Sequence, residues 1–230
     1  MSHGKTNWDG SLDLTNLDPR AYFASAPQAK WVGSVQRFNY LDYQQCSGFR
    51  LSNMIRHPIS RVQSAAKCYR NELILHRLDQ SKPWLVENID FARRTHHDLL
   101  HTIGSGGISP DTDDLNAFLL SCHNLFHYVA EIQVCRRQDI PLLLFEDYTA
   151  TQAALARSIH SVLGESVDIS LPQFDDKAHS SGGRMAFSHS EIWEKWCDWQ
   201  RWLFLTIFQA NNGTETFKSI YPQSFLPSNP

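Results

Sequence analysis

Residues 141–147, PLLLFED, constrain the fold more than any other stretch of this chain. The run is apolar without alternation, opens on a proline and closes on two carboxylates. Such a run is typical of a strand in a parallel sheet that is buried on both faces, because helices cover the two sides of the sheet. We therefore expect an α/β protein in which a parallel sheet is flanked by helices.

Helical periodicity on both sides of this run supports the same interpretation. Residues 151–164, TQAALARSIHSVLG, are expected to form a helix that Gly164 ends. A long helix is expected to begin among the acidic residues 111–114. Its apolar stripe is formed by Leu115, Phe118, Leu119, Cys122, Leu125, Phe126, Val129 and Ile132. This order of elements predicts one α/β domain over residues 31–230, after an irregular lead-in over residues 1–30.

The last third of the chain contains four tryptophans at a spacing of three. Ser188 and Glu191 have the form of a capping box that opens one helix, expected to continue to near Gly213. Tryptophans at this spacing cover most of a helix circumference, which favours a role in the core over a ligand site. If the helix is left exposed, it predicts a contact with a partner chain or a homo-oligomer. The four residues are Trp193, Trp196, Trp199 and Trp202.

The composition excludes some classes of partner. A formal net charge of -3 provides no broad positive field for nucleic acid, so any anion site must be local. Five cysteines stand far apart without a Cys-x-x-Cys pair, which is typical of reduced thiols. Because neither a signal-peptide core nor a membrane span is found, we expect a soluble, cytoplasmic protein.

Residues 54–64, MIRHPISRVQS, join an expected strand to an expected helix. Arg56 ends the strand, and Ser60 and Gln63 have the form of a capping box that opens the helix. Arg56 would supply a forked, permanently charged donor, Ser64 a hydroxyl, and the helix start a positive dipole end. These three parts together suit a phosphate group at the carboxyl end of a sheet strand.

The alternative for this segment is purely structural. Arg56 would then pair with a carboxylate such as Asp147, and Ser64 would be an ordinary helical serine. The motif by itself does not decide between the two interpretations.

Four residues of this segment resemble the R-[DN]-P-x-x-R-x-x-S signature of sulfotransferases that use 3′-phosphoadenosine 5′-phosphosulfate (PAPS): Arg56, Pro58, Arg61 and Ser64. His57 departs from the Asp or Asn of that signature. Residues 140–164 are similar to the family's later segment, in which an apolar strand runs into Glu-Asp and a helix ends in Leu-Gly. The resemblance extends over residues 45–208.

This resemblance implies a P-loop-like sulfotransferase fold in which Arg56 and Ser64 bind the 3′-phosphate of PAPS. The implied activity is transfer of the sulfuryl group to a hydroxyl or amine of a small-molecule, lipid or glycan acceptor. The family also has a strand and a P-K-[ST]-G-[ST]-[ST] loop near its start. Gly4, Lys5 and Thr6 in SHGKTNW offer a partial counterpart, with Lys5 as the candidate, but no strand is expected before them. The fold is therefore expected to be incomplete or divergent at its N-terminus.

Two further parts of the resemblance concern the lid and the base. SSGGR, residues 180–184, is similar in composition to the loop that closes over the nucleotide, with Arg184 on the phosphate. No catalytic base is evident, because His3 is the only His or Glu before Arg56. A divergent enzyme, a truncated product and a degenerate relative that only binds nucleotide all stay open.

Two histidine pairs indicate a different class of function. His97 and His101, and likewise His123 and His127, have the spacing that places two imidazoles on one helix face. Two such helices side by side would supply four ligands to zinc or another transition metal. Because no carboxylate accompanies the second pair at ligand spacing, no metal site is assigned. A metal-binding helical protein and a non-catalytic interaction module are the alternatives to a sulfotransferase.

Overall fold

A computed structural model describes residues 52–80, 82–107, 110–146, 152–163, 188–222 and 224–227, together with Ala24. All of them except Ala24 belong to the unit Ser52–Pro230. Helices account for 76% of the described residues, and the only sheet among them has two parallel strands. The expected architecture, a substantial parallel sheet flanked by helices, is therefore wrong. The expected boundary at residue 30 lies outside the described residues and stays a prediction.

The elements follow one another in an order dominated by helices. Strand β1 (Asn53–Ile55) is followed by α1 (Pro58–Gln80), α2 (Pro83–Thr95), α3 (His97–Ser105) and α4 (Thr112–Arg137). Strand β2 (Leu142–Leu144) then precedes α5 (Gln152–Leu163), α6 (His189–Lys195), α7 (Asp198–Ala210) and α8 (Gly213–Lys218). The strands pair in parallel, with Asn53 opposite Leu142 and Ile55 opposite Leu144. A long helical crossover thus connects the two paired strands, as parallel pairing requires.

The apolar run at residues 141–147 explains why the α/β prediction was wrong. Its parallel pairing is as expected, but β2 has only three residues, and all three are half-buried. A strand buried on both faces needs helical layers above and below a sheet of several strands. In the described part of the chain β2 has β1 as its neighbour, so most of the apolar surface is buried between helices instead.

The hydrophobic core lies between α1, α4 and α7. Most of the expected stripe on α4 is buried, but Leu115 is half-buried and Phe126 is 52% exposed. Phe118 meets Trp196 and Trp199 edge-on, at centroid distances of 5.0 and 5.4 Å. Such aromatic pairs add to the stabilisation from burial, so helix-on-helix packing holds this part of the chain together.

The helix starts were predicted with mixed success. Asp111 is the N-cap of α4, and its side chain accepts hydrogen bonds from the backbone N–H groups of Asp113 and Asp114. Ser188 and Glu191 form the expected capping box. The box expected at Ser60 and Gln63 is wrong, because α1 already begins at Pro58, whose missing N–H suits a first turn.

The tryptophan-rich segment forms two helices rather than the single helix expected. Trp196 and Cys197 adopt extended backbone angles between α6 and α7. The break is stabilised on both sides: the Trp196 indole N–H donates to Gln63 Oε1 at 2.5 Å, and the Cys197 N–H donates to Gln200 Oε1 at 3.0 Å. A second helix start at Asp198 follows from this local cap.

Burial of the tryptophans agrees with the expected role in the core. Trp196 and Trp199 are buried, whereas Trp202 is 36% exposed. An oligomer contact through this segment stays a prediction, with Trp202 as its most exposed tryptophan. Among the helices that the structure describes, none combines the length and apolar character needed to cross a membrane.

Candidate functional site

Arg56 directly follows β1 and precedes the start of α1 by two residues. Its backbone is held by one side chain of α4, since the Tyr128 hydroxyl donates to the Arg56 carbonyl at 2.8 Å and accepts from the Arg56 N–H. Burial raises the pKa of Tyr128 well above its usual range, so this hydroxyl keeps its proton. Arg56 was expected to end the strand; it lies one residue beyond the strand, at the expected junction with a helix start.

The Arg56 side chain is half-buried and stands over the Phe145 ring, with its guanidinium carbon 4.8 Å from the ring centroid. Burial lowers the pKa of Arg56, and the nearby Glu146 carboxylate opposes that shift. Within the described residues no carboxylate lies within 4.0 Å of the guanidinium. A partly desolvated cation without a close anion is costly, which makes this position suited to an anionic ligand.

A second guanidinium lies on the first turn of α1. The Arg61 side chain covers the Tyr128 ring at 3.9 Å, and its charge also lowers the pKa of Arg56. The first turn of α1 contains no acidic residue that would neutralise the positive end of the helix dipole. Two arginines and a helix start therefore stand near one described carboxylate, that of Glu146, although the whole chain is slightly acidic.

Ser64 lies further along α1 and is exposed. In the described part of the chain its hydroxyl makes no hydrogen bond, and no contact joins it to Arg56. The expectation that Ser64 lies in the early turns of a helix is confirmed. Its convergence with Arg56 on one phosphate stays a prediction.

The Glu146 carboxylate, near Arg56, accepts two hydrogen bonds. The backbone N–H of His57 donates to Glu146 Oε1 at 2.8 Å, and the Tyr221 hydroxyl donates to Glu146 Oε2 at 2.9 Å. Glu146 follows β2 by two residues, so this carboxylate ties the ends of the two parallel strands together. It also attaches the C-terminal segment to them through Tyr221.

His57 is completely buried beside this carboxylate. Its ring stacks on His189 at a centroid distance of 3.6 Å, with an angle of 8° between the two planes. Because Nε2 lies 2.9 Å from the carbonyl oxygen of Phe225, Nε2 carries the proton and donates it. The pKa of His57 is lowered to about 3, mainly by burial and to a smaller extent by the neighbouring His189. The ring is therefore neutral at pH 7.

His189 is the first residue of α6 and completes the cluster. Its Nε2 lies 4.0 Å from Glu146 Oε1, and 22% of its side chain is exposed. Burial lowers the pKa of His189, the Glu146 carboxylate opposes this, and the Arg56 charge adds to it. We use the name strand-end cluster for Arg56, His57, Glu146, His189 and Tyr221.

Sequence reasoning found Arg56 but missed the chemical roles of the other cluster residues. Glu146 had a signal, because it closes the apolar strand that pairs beside Arg56. His189 and Tyr221 had none, since they come from the C-terminal third and reach the strands only through tertiary packing. His57 was noted only as a departure from the family signature.

The histidine pairs do not converge on one metal site in the described residues. His97 and His101 line an open depression of about 390 Å³ together with Arg93 and Arg94, whose charges would repel a metal cation. His123 Nδ1 lies 3.1 Å from Nε2 of His96, a residue outside both pairs. Among the described residues no group of three or more His, Cys, Asp or Glu side chains is placed to hold a metal ion.

Several predicted contributors lie outside the described residues. These are the phosphate-loop candidate Lys5, the lid residue Arg184 and the alternative ion-pair partner Asp147. Their expected roles stay predictions. Comparison with known proteins adds no assignment, because no family profile, no curated protein and no solved structure matches the chain.

Proposed function

We propose that the strand-end cluster binds the 3′-phosphate of an adenine nucleotide, and that the protein is a PAPS-dependent sulfotransferase or a relative limited to nucleotide binding. The support comes from the residues of the signature and from their surroundings, not from the overall fold. The α/β architecture that the signature implied is not part of this proposal.

One observation carries the proposal: the Arg56 guanidinium is half-buried, beside the start of a helix, and has no carboxylate within ion-pair distance in the described residues. Charged groups are retained in such surroundings when an anion pairs with them in the functional state. A phosphate matches the forked donor of Arg56 and the positive end of the α1 dipole.

The residues fit one end of PAPS better than the other. Arg56 and the start of α1 suit the 3′-phosphate, and Ser64, two turns into α1, is exposed. The phosphosulfate end would rely on Lys5, which lies outside the described residues. The proposed reaction forms a bond from the acceptor oxygen or nitrogen to sulfur and breaks the bond from sulfur to the 5′-phosphate oxygen. A base accepts the acceptor's proton, and no residue is assigned to that role.

The proposed acceptor is a small molecule, lipid or glycan, and the proposed location is the cytoplasm. Among the described residues Cys68, Cys122 and Cys197 are free thiols. Free thiols fit a reducing compartment, where disulfides are rare.

Calorimetric titration with adenosine 3′,5′-bisphosphate tests the proposal directly. Replacing Arg56 with Ala should weaken binding by about 2 to 4 kcal/mol, or roughly 30- to 1,000-fold, because the phosphate loses its charge-assisted contacts. Ser64→Ala should cost only about 0.5 to 1.5 kcal/mol, the usual contribution of a neutral hydrogen bond.

The controls separate a specific site from general attraction. Arg70→Ala removes an exposed arginine of the same helix, paired with Asp114, and should leave the affinity unchanged. Adenosine 5′-monophosphate lacks the 3′-phosphate, so it should bind the wild type weakly. Its affinity for Arg56→Ala should be the same as for the wild type. Absence of binding to the folded wild-type protein, or equal losses in Arg56→Ala and Arg70→Ala, would overturn the proposal. A transfer assay with labelled PAPS then separates an enzyme from a binding-only relative.

A further inference from the structure

His189 occupies the part of the strand-end cluster where positive and negative charges meet. It is the first residue of α6, it stacks on His57, and its Nε2 is 4.0 Å from the Glu146 carboxylate. Its side chain is 22% exposed, so one side is accessible while the other is packed. A residue placed in this way can gain a proton without leaving its position.

The charged and titratable groups around His189 come from every element packed against it. Arg56 and His57 follow β1, Glu146 follows β2, and Tyr221 comes from the C-terminal segment, where it donates to Glu146. Arg56 disfavours a proton on His189 and Glu146 favours it.

Two more groups act through Arg56. Tyr128 of α4 holds its backbone, and Arg61 of α1 adds positive charge beside it. On α6 itself, Glu191 is engaged with the backbone N–H of Ser188 at 2.6 Å. The Glu146 carboxylate therefore provides the main negative charge facing His189 within the described residues.

We propose that His189 is a second cationic ligand of the bound phosphate, acting beside Arg56, and that nucleotide binding is coupled to the uptake of a proton by its imidazole. This inference rests on the proposed function, because it needs an anion in the strand-end cluster. In the empty cluster the Glu146 carboxylate is the one described negative charge near both Arg56 and His189, and His189 stays neutral. A bound phosphate adds up to two negative charges and stabilises the imidazolium.

The direction of the pH effect follows from linkage. The phosphate raises the pKa of His189 relative to the empty cluster, so binding takes up a proton between the two values. Nucleotide affinity therefore increases as pH falls through that interval, by up to about tenfold per pH unit, and is constant outside it. The phosphate itself loses charge near pH 6, so the relevant quantity is the ratio of wild-type to variant affinity, in which that contribution cancels.

The experiment is calorimetric titration of the full chain with adenosine 3′,5′-bisphosphate in two buffers that differ in ionisation enthalpy, at several values between pH 6 and 8. The difference in observed heat reports the protons taken up on binding. Wild type should take up a fraction of a proton that increases toward one within this range. His189→Gln should take up none from this residue, and its affinity should lose the extra dependence on pH. His101→Gln, an exposed histidine of α3, is the matched control and should behave as wild type.

A second measurement uses the unmodified protein. In a ¹H NMR titration the imidazole resonance of His189, identified by its absence in His189→Gln, should titrate at a higher pH with nucleotide than without it. This readout remains informative if the variant folds poorly in other respects, because only the assignment depends on it.

The possible results distinguish the two proposals. If the wild type binds the nucleotide and Arg56→Ala weakens binding, but His189 takes up no proton and its titration does not move, the role of His189 is overturned and the proposed function stands. If the folded wild type does not bind the nucleotide at all, both are overturned. Proton uptake that is lost in His189→Gln and kept in His101→Gln supports both.

Discussion

His57 is the residue whose chemistry depends most on its surroundings. It is fully buried, stacked on His189 and hydrogen-bonded to the Phe225 carbonyl. Its Nδ1 has no partner among the described residues, and a proton there would place a charge beside Arg56 in a dry site. Burial and the neighbouring His189 therefore keep the pKa of His57 at about 3.

The neutral state of His57 predicts that acid destabilises the protein. The unfolded chain binds this proton near pH 6.5, whereas the folded protein binds it only near pH 3. The contribution of neutral His57 to the free energy of unfolding is thus fully present above pH 6.5. It declines as pH falls toward 3, by up to about 1.4 kcal/mol per pH unit. Urea unfolding at pH 7, 6, 5 and 4 measures this slope.

His57→Gln provides the comparison. Glutamine retains a donor for the Phe225 carbonyl but lacks the ring that stacks on His189, so the variant should be less stable at pH 7. Because glutamine cannot titrate, the free energy of unfolding of the variant should depend less steeply on pH. Parallel curves for the two proteins would show that His57 does not control the acid response.

At the scale of elements, helix starts are decided by a few neighbouring atoms. Asp111 Oδ1 accepts from the N–H groups of Asp113 and Asp114 at 2.9 and 3.1 Å, which satisfies two donors that the first turn of α4 leaves unpaired. The Ser188 and Glu191 box serves α6 in the same way. These starts were predictable because each cap lies within three residues of the groups it satisfies.

The cap of α4 predicts a measurable cost when it is removed. Asp111→Ala should lower the free energy of unfolding by about 0.5 to 2 kcal/mol, since two N–H groups lose their acceptor and a favourable charge leaves the helix start. Urea unfolding at neutral pH is the measurement. Asp113→Ala removes the same charge from the same turn but leaves the cap in place, and should cost less. Equal losses in the two variants would refute a capping role.

Other element boundaries depend on partners far along the chain. Gln63 was expected to close a capping box, but its side-chain oxygen accepts from the indole of Trp196, 133 positions away. The same contact stabilises the extended break between α6 and α7. The predicted capping box at Gln63 and the predicted single helix through Trp196 were both wrong for the same reason. The partner of each residue lies far along the chain and cannot be identified from the neighbouring sequence.

At the scale of the whole molecule, Tyr128 connects the small sheet to the helical core. Its ring lies in the core beside Phe217 at 5.5 Å, under the Arg61 guanidinium, and its hydroxyl holds both backbone groups of Arg56. The strand ends are thereby attached to the longest described helix. This connection replaces the wide sheet that would position an anion site in an α/β protein.

Tyr128→Phe should therefore be costly although it removes a single oxygen. Two partly buried backbone groups of Arg56 lose their partner, which predicts a loss of about 1 to 3 kcal/mol in unfolding free energy. Tyr69→Phe is the control, because the Tyr69 hydroxyl accepts a longer bond, 3.3 Å, from the Asn124 side chain. Chemical denaturation compares the two. The proposed connection fails if Tyr128→Phe costs no more than Tyr69→Phe.

The sequence by itself determined features whose causes lie within one or two helical turns: a strand just before Arg56, a helix start among residues 111–114, the capping box at Ser188, and the apolar stripe of α4. Only the tertiary structure decided that the apolar run at residues 141–147 forms a short, half-buried strand in a helical fold, because strand burial depends on which elements pack beside it. It also decided that Glu146, His189 and Tyr221 gather around Arg56. Convergence of this kind depends on contacts between residues 43 and more positions apart, which no local pattern records.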